Sequence, residues 1–280
     1  MILERYSVWT MKSKIKSNYH THTYLCKHAE GTPIDYVKLA KMHDYHTIAI
    51  TDHGPLIDEI YNKIYTRRMT YEQYYNVYLD LLKDAKKEDG IKVLSGIEIE
   101  YFEDMEDCYK EFLKDLDLLV LGEHYFPHKN KIFSVYDVSD KSDIEAYTTN
   151  LIKGIESGYF SIIAHPDIFF WNYPVWDDEC IKAAHLIIQA AIKHDIPLEI
   201  NANGVRNSTR KNHFSYVEDH ISYDYPKYEF WKIVKEYNAK VVINDDVHFF
   251  KEFCDESTVK AYELAYELKL NIIDAIDLKK

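Results

Sequence analysis

Short β-branched runs alternate with amphipathic helical stretches from one end of this chain to the other, and no other feature restricts the fold as strongly. Strand patterns fall at about 17–22, 47–51, 92–100, 118–122, 161–164, 198–201 and 240–244. Each is followed by a helical pattern, at about 33–43, 71–88, 105–116, 142–157, 177–193, 226–237 and 256–268. Several of these helices open on an Asp, Ser or Thr cap or on a first-turn proline. A succession of βα units requires parallel strands, and right-handed crossovers close such strands most naturally into a barrel. With 280 residues, 46% of them apolar, the chain is long enough to bury the core of one such α/β domain over 1–280. Residues 1–16 precede the first strand, as an extra strand or a loose arm.

The strand assignment gives the ionisable residues a common address. His20 and His22 end the first strand pattern, Asp52 and His53 the second, Glu98 and Glu100 the third, His124 the fourth, His165 the fifth, and Asp245, Asp246 and His248 the seventh. All lie at C-terminal strand ends, the face on which barrel folds carry their chemistry. Gly31, Gly54, Gly96, Gly122 and Gly204, out of eight glycines in all, sit beside these positions and mark sharp turns or close backbone approaches. On a strand, positions i and i+2 point the same way about 7 Å apart, so His20 and His22 can turn both imidazoles onto one cation. A lone His-x-His is a weak signal; its convergence with further histidines and carboxylates on one face is not, and that donor set suits zinc, manganese or iron. His43, His46, His128, His185, His194, His213 and His220 read as surface or packed residues.

Charge and cysteine usage exclude several classes. A formal net charge of −13 opposes the phosphate backbone of nucleic acids, so a small anionic substrate would need a local basic patch. Arginine is scarce: apart from Arg5, all of it lies at Arg67, Arg68, Arg206 and Arg210, in what read as loops after the second and sixth strands on the same face. Its forked donors match phosphate where lysine offers only a point charge. Cys26, Cys108, Cys180 and Cys254 are far apart with no C-x-x-C pairing, as in a cytosolic protein with reduced thiols. Glu4 and Arg5 interrupt the N-terminal apolar residues, and no run approaches about 18 apolar residues, so the expectation is a soluble cytoplasmic protein with no membrane partner.

Eight motifs, in order, carry a resemblance to a known family. They are Y-H-T-H-T at 19–23, K-H-A-E-G-T-P at 27–33, I-T-D-H-G-P at 50–55, G-I-E-I-E-Y at 96–101, G-E-H-Y at 122–125, I-A-H-P-D at 163–167, L-E-I-N-A-N-G-V-R at 198–206 and N-D-D-V-H at 244–248. With these the sequence resembles the polymerase-and-histidinol-phosphatase (PHP) superfamily of metal-dependent phosphoesterases, and within it the monofunctional histidinol-phosphate phosphatases of histidine biosynthesis. The resemblance implies a distorted (β/α)7 TIM-like barrel holding three divalent metal ions, zinc, manganese or iron. By position, His20, His22, Glu98 and Asp246 would hold the first; Glu98, His124 and His165 the second; His28, His53 and His248 the third. Glu98, Asp246 and His248 would be the residues closest to the chemistry. A hydroxide shared by the metals would attack a small phosphate monoester, with L-histidinol phosphate the leading substrate and its products L-histidinol and phosphate. Arg206, in the position of the family's phosphate-binding loop, and Arg210 would hold the phosphate. Alternatives are a PHP phosphoesterase for a nucleotide or sugar phosphate, or a metal-binding regulatory module without turnover; an acidic chain does not suit a nuclease.

Several details depart from the family pattern. Asn18 stands where an acidic residue is common, and Glu123 and Asp245 replace the commoner serines before the ligand positions. None removes a ligand. Asp52 and Glu100 are placed to orient ligand imidazoles. Tyr71, Tyr74, Tyr75, Tyr78 and Leu82 lie at helical spacing as a face packed on the barrel, and the aromatic stretch D-I-F-F-W-N-Y-P-V-W at 167–176 either covers the site or packs.

Overall fold

A parallel sheet of eight strands, curled with helices against one face, organises the chain. The structure, a computed structural model, describes residues 15–64 and 67–279. The expected arm at 1–16 thus falls almost wholly outside the described residues; Ile15 is buried, and Lys16 O accepts the His46 N–H at 2.7 Å. The strands in chain order are β1 (Ser17–Asn18), β2 (Thr47–His53), β3 (Lys92–Ile99), β4 (Leu118–Leu121), β5 (Tyr125–His128), β6 (Lys131–Ser134), β7 (Ile162–Ile163), β8 (Leu198–Asn201), β9 (Phe214–Val217), β10 (His220–Tyr223), β11 (Lys240–Asn244) and β12 (Asn271–Ile272). The main sheet runs β1-β2-β3-β4-β7-β8-β11-β12. The segments that follow β1 and β11 come together where Thr21 bridges Val247, and the His22 N–H donates to Val247 O at 3.0 Å.

Strand alternation sorts the core into two clusters. Ile48 and Ile50 of β2, Ile97 and Ile99 of β3, Leu119 and Leu121 of β4, and Val241 and Ile243 of β11 join the large cluster shared with the helices. The residues between them, Ala49, Leu94, Leu118, Val120 and Val242, form a small cluster on the opposite face, against which Ile273, Ile276 and Leu278 of the C-terminal tail pack. Followed two residues at a time toward the C-terminal strand ends, this second series changes character: Ala49, Thr51, His53; Leu94, Gly96, Glu98; Val242, Asn244, Asp246. One face of each strand is therefore apolar at the bottom and ionisable at the top.

Each helical pattern corresponds to a helix, at Pro33–Met42, Leu79–Ala85 with the turns before it, Glu106–Asp115, Lys141–Ser157, Asp178–Lys193, Tyr228–Tyr237 and Glu256–Glu267. In the tyrosine-rich helix Tyr74, Tyr78 and Leu82 are buried, whereas Tyr75 is exposed. The Tyr78 hydroxyl lies 2.8 Å from Gly96 O and accepts the Asp52 N–H at 3.2 Å, pinning β2 to β3.

Three features differ from the sequence expectation. An eighth strand, β12, pairs with the start of β11, Lys240 opposite Asn271; two residues are too few to show a strand period. The hairpins β5–β6 and β9–β10 lie outside the main sheet. The segment after β8, expected as a loop, is a helix, Ala202–Lys211. Its Asn, Gly, Ser and Thr residues are weak helix formers, but Asn201 Oδ1 caps it by accepting the Gly204 N–H at 2.9 Å. A Cβ on Gly204 would stand 2.4 Å from the backbone oxygen of Tyr225, so the helix packs there only through glycine. Among the described residues no helix is long and apolar enough to cross a membrane.

Alanine improves helix propensity by about 1 kcal/mol over glycine, while overpacking against fixed backbone costs about 1–3 kcal/mol. Gly204→Ala is therefore expected to lower stability, by about 1–2 kcal/mol, which thermal denaturation would read as a drop of several degrees.

Candidate metal centre

The pairing of β2 with β3 sets His53 directly opposite Glu98. Glu98, 1% exposed, is the hub of the cluster that results. Gly122 makes room for it, since a Cβ there would fall 2.1 Å from Glu98 Oε1. His20 Nε2 lies 3.4 Å and His22 Nε2 3.5 Å from Glu98 Oε2, and His22 Nε2 is 3.1 Å and His20 Nε2 3.7 Å from Asp246 Oδ1. On the other carboxylate oxygen, Oε1, His165 Nε2 is at 2.9 Å and His124 Nε2 at 3.7 Å. His53 Nδ1 is 3.0 Å from Oε2. His28 Nε2 and His248 Nε2 face each other at 3.0 Å. The fold thus gathers His20, His22, His28, His53, Glu98, His124, His165, Asp246 and His248 into one site. Two of them sit on unusual backbone: His165 (φ 31°) and Asp246 (φ 45°) are in the left-handed region, which non-glycine residues keep only where their surroundings hold them there.

Cations fit this constellation. His20 Nε2, His22 Nε2, Glu98 Oε2 and Asp246 Oδ1 are all buried and all lack a hydrogen-bond partner, although each nitrogen lies within 3.1–3.7 Å of both oxygens. Buried polar atoms left so cost free energy, and a shared divalent ion resolves four at once. The second argument concerns His28 and His248. Their Nδ1 atoms point at carbonyl oxygens, Cys26 O at 2.8 Å and Asp246 O at 3.1 Å, so each Nδ1–H donates and both Nε2 lone pairs converge at 3.0 Å. Two acceptors in that position need a cation between them. Ligand atoms of His20, His22 and Glu98, of His28, His53 and His248, and of His53, Glu98 and His124 each fall within 4.8 Å of one another, as do those of His22, Cys26 and His248. Cys26, a buried thiol, was given no such place by the sequence.

Protonation follows the same electrostatics. Burial opposes charge on His20, but Glu199, Asp246 and Glu98 outweigh it and raise its pKa well above the usual histidine value; at His22 burial is likewise outweighed by the neighbouring carboxylates of Asp246 and Asp52, and its pKa is raised well above that value too. Burial favours neutral Glu98, but His20, His124 and His53 hold it well below the usual range. For His28, His53 and His248 burial prevails and their pKa values fall.

A second layer holds the imidazoles. Asp52 Oδ1 is 3.6 Å from His22 Nδ1 while its Oδ2 accepts the Thr23 N–H at 3.1 Å and the Thr23 hydroxyl. Glu100 lies 3.6 Å from His124 Nδ1 and takes both terminal nitrogens of Arg68, at 2.8 and 2.6 Å. Glu199 is a residue that sequence reasoning missed. Its carboxylate accepts His20 Nδ1–H and Asn244 Nδ2–H at 2.8 Å on Oε1, and the His165 N–H at 3.0 Å and Asn201 Nδ2–H at 2.8 Å on Oε2. Glu123 and Asp245 turn away from the centre: Glu123 accepts Asn150 Nδ2–H at 2.9 Å and Asp245 accepts the Thr258 hydroxyl. Burial drives the Glu123 pKa well up and pushes that of Asp245 up to about 6.

The centre floors a cavity of about 740 Å³ whose walls include Arg67, Arg68, Tyr136, Asn203, Asn207, Arg210, Tyr225, Phe249 and Glu252. Asn203, Asn207 and Arg210 present one face of the helix after β8. Arg206 does not line the cavity, and the expectation that it binds phosphate needs correction. All five of its N–H donors are engaged: Nε and Nη2 on Asp255 at 2.9 and 3.2 Å, Nη2 also on Glu252 O at 3.0 Å, and Nη1 on Asp245 O and Asn203 Oδ1 at 3.3 Å. It fastens the helix to the segment carrying Asp246 and His248. The aromatic stretch at 167–176 stands behind the wall: Trp171 meets Tyr136 and Tyr225 edge-on, with ring centroids 6.3 and 5.6 Å apart.

Comparison with known proteins gives a consistent set. A family model described as "PHP domain" matches residues 18–274. A "probable phosphatase" of Shewanella frigidimarina is 30% identical over 209 residues, 73% of this chain and 71% of that protein. Another, from Shewanella sp. strain ANA-3, is 28% identical over 266 residues, 93% and 83% of the two chains. Among solved structures, histidinol phosphate phosphatase of Lactococcus lactis, complexed with Zn, L-histidinol and phosphate, superposes with a TM-score of 0.68 at 16% identity, covering 95% of this chain and 99% of that one.

Ligands that bind only the folded state stabilise it, by about 4 kcal/mol at a thousandfold excess over Kd. Exhaustive chelation is accordingly expected to lower the melting temperature by about 10 °C, with recovery on adding back zinc or manganese. An unchanged melting curve would argue against a structural cation at these residues.

Proposed function

This chain belongs to the PHP domain family, and from that premise we propose that it is a metal-dependent phosphatase that hydrolyses a small phosphate monoester, with L-histidinol phosphate as its leading substrate. The observation that carries the reading is the convergence of His20, His22, Glu98 and Asp246 through atoms that have no other partner. His20, His22, Glu98 and Asp246 would hold one divalent ion, Glu98 with His124 and His165 a second, and His28, His53 and His248 a third; in this reading the curled sheet that carries them is a seven-unit barrel with β12 added beside β11, and the Thr21–Val247 bridge supports it. Divalent ions bound there supply Lewis acidity and an acidified water, which serve phosphate-ester hydrolysis without a phosphorylated side chain.

The chain's own residues do the rest. Glu199 fixes the ring of His20 by accepting its Nδ1–H at 2.8 Å, and Asp52 and Glu100 stand 3.6 Å from His22 Nδ1 and His124 Nδ1, where they favour the orientation that aims Nε2 at the centre. Arg210 reaches the cavity from the helix wall with its side chain half exposed, and Asn203 lies beside Asp246 with its Nδ2 3.3 Å from Oδ2. In this reading Arg210 and Asn203 bind the phosphoryl oxygens, while Arg206 holds the wall that bears them. The L. lactis enzyme supports the substrate assignment through its bound L-histidinol and phosphate, on a shared fold. A nucleotide or sugar phosphate remains the competing substrate, and a regulatory module without turnover the competing role.

The test is phosphate release by the metal-reconstituted protein from L-histidinol phosphate beside a panel of sugar phosphates, nucleotides and p-nitrophenyl phosphate. A kcat/KM for L-histidinol phosphate far above the rest is expected; uniform slow turnover would move the substrate elsewhere, and none at all would favour the regulatory role. Asp246→Ala and His165→Ala are each expected to lower kcat/KM about a hundredfold or more with the fold retained by circular dichroism, and full activity in either would sink the metal assignment. Arg210→Ala should lower kcat/KM by about tenfold to a hundredfold.

A further inference from the structure

Three carboxylates line the cavity, Glu98, Asp246 and Glu252, and only the first two belong to the metal-binding cluster. Glu252 needs a separate explanation, because a carboxylate in the wall of a site for phosphate repels the substrate it serves. Its placement is firmly determined. The backbone is fixed at both ends, the Glu252 N–H donating to Phe249 O at 2.8 Å and Glu252 O accepting Arg206 Nη2–H at 3.0 Å. The side chain is 4% exposed, and Oε1 accepts Arg210 Nη2–H at 2.6 Å. Arg210 is itself 52% exposed, so water screens the guanidinium more than it screens the carboxylate. Among the described residues, Glu252 Oε2 takes no hydrogen bond. A buried acid with an oxygen to spare, one residue removed from the phosphate-binding guanidinium, is an acceptor for a cation.

We propose that Glu252 is the specificity-determining residue of the cavity: it receives an ammonium group on the leaving-group side of the substrate, and so selects 2-aminoalkyl phosphates over neutral or anionic phosphate esters. The inference rests on the phosphatase reading and deepens it. In a 2-aminoalkyl phosphate the amine is two carbons from the ester oxygen, which suits an arrangement in which Arg210 touches phosphate and Glu252 touches Arg210. The rest of the wall is compatible, since the rings of Tyr136, Tyr225 and Phe249 line the same cavity and aromatic faces tolerate a cation. L-histidinol phosphate carries such an amine. Sugar phosphates lack one, and a nucleoside bisphosphate would bring a second anion toward Glu252.

The experiment compares L-histidinol phosphate with its des-amino analogue, 3-(imidazol-4-yl)propyl phosphate, on the metal-loaded wild type and on Glu252→Gln. A charge-assisted hydrogen bond corresponds to about tenfold or more in affinity. The wild type is expected to prefer the amine by at least that factor in kcat/KM, and Glu252→Gln to reduce the preference to about twofold or less. Glu252→Asp, which keeps the charge, should restore part of it. If the wild type hydrolyses both esters without preference, or if Glu252→Gln slows both equally, Glu252 only steadies Arg210 and the proposal is overturned while the phosphatase reading stands. If the wild type releases phosphate from neither ester, nor from p-nitrophenyl phosphate, both readings fall together.

Discussion

A buried carboxylate facing five imidazoles is the constraint around which this end of the molecule is organised. Glu98 has His165 at 2.9 Å, His53 at 3.0 Å, His20 at 3.4 Å, His22 at 3.5 Å and His124 at 3.7 Å, all largely shielded from solvent. Placing a carboxylate there without compensation costs several kcal/mol. The carboxylates around His20 and His22 raise the pKa values of both well above the usual histidine value. Protons and divalent cations would therefore compete for these imidazole nitrogens, because a metal binds only the neutral ring. Left-handed backbone at His165 and Asp246, just past their strands, marks where the chain turns while both side chains reach the centre.

The sequence showed this centre because its chemistry is local. Apart from His28, carried in by the turn at Tyr24–Cys26, each histidine and acid of the cluster stands at or just past a strand end, and strand geometry converts that address into a shared face. The helix at Ala202–Lys211 was hidden for the opposite reason: its residues disfavour helix, and what holds it is the Asn201 cap and its packing on Tyr225 and on the helix Glu256–Glu267. Glu199 was hidden because L-E-I-N reads as an ordinary strand end. Its role comes from Asn201 and Asn244, whose amides complete the acceptors that His20 and His165 leave. Arg206 carried the right chemistry for phosphate, but residue type does not reveal which acceptors a side chain will meet, and here Asp255, two carbonyls and Asn203 Oδ1 saturate it. The eighth strand offered no period to read in two residues.

Two of the three departures from the family pattern, Asn18 and Asp245, fall along the line where the segments after β1 and β11 meet. Asn18 Nδ2 donates to His20 O at 3.1 Å and to Thr21 Oγ1 at 2.8 Å, while its Oδ1 accepts the Asp245 N–H at 2.9 Å. A carboxylate at that position could not donate to either oxygen. Asp245 continues the chain of contacts by accepting the Cys254 N–H at 3.3 Å and the Thr258 hydroxyl, and its carbonyl accepts Arg206 Nη1–H. Asn244 adds its side-chain oxygen, which accepts the Tyr19 N–H at 2.8 Å. Between β1 and β11, then, side chains do the work that a backbone ladder does elsewhere in the sheet. The cause is the pair of segments into which these two strands run: they carry His20, His22, Asp246 and His248, whose side chains must turn to the centre and whose backbone must bend to let them. A seam of amides and carboxylates tolerates that bending where a regular ladder would not, so that closing the sheet and assembling the metal centre are one structural event.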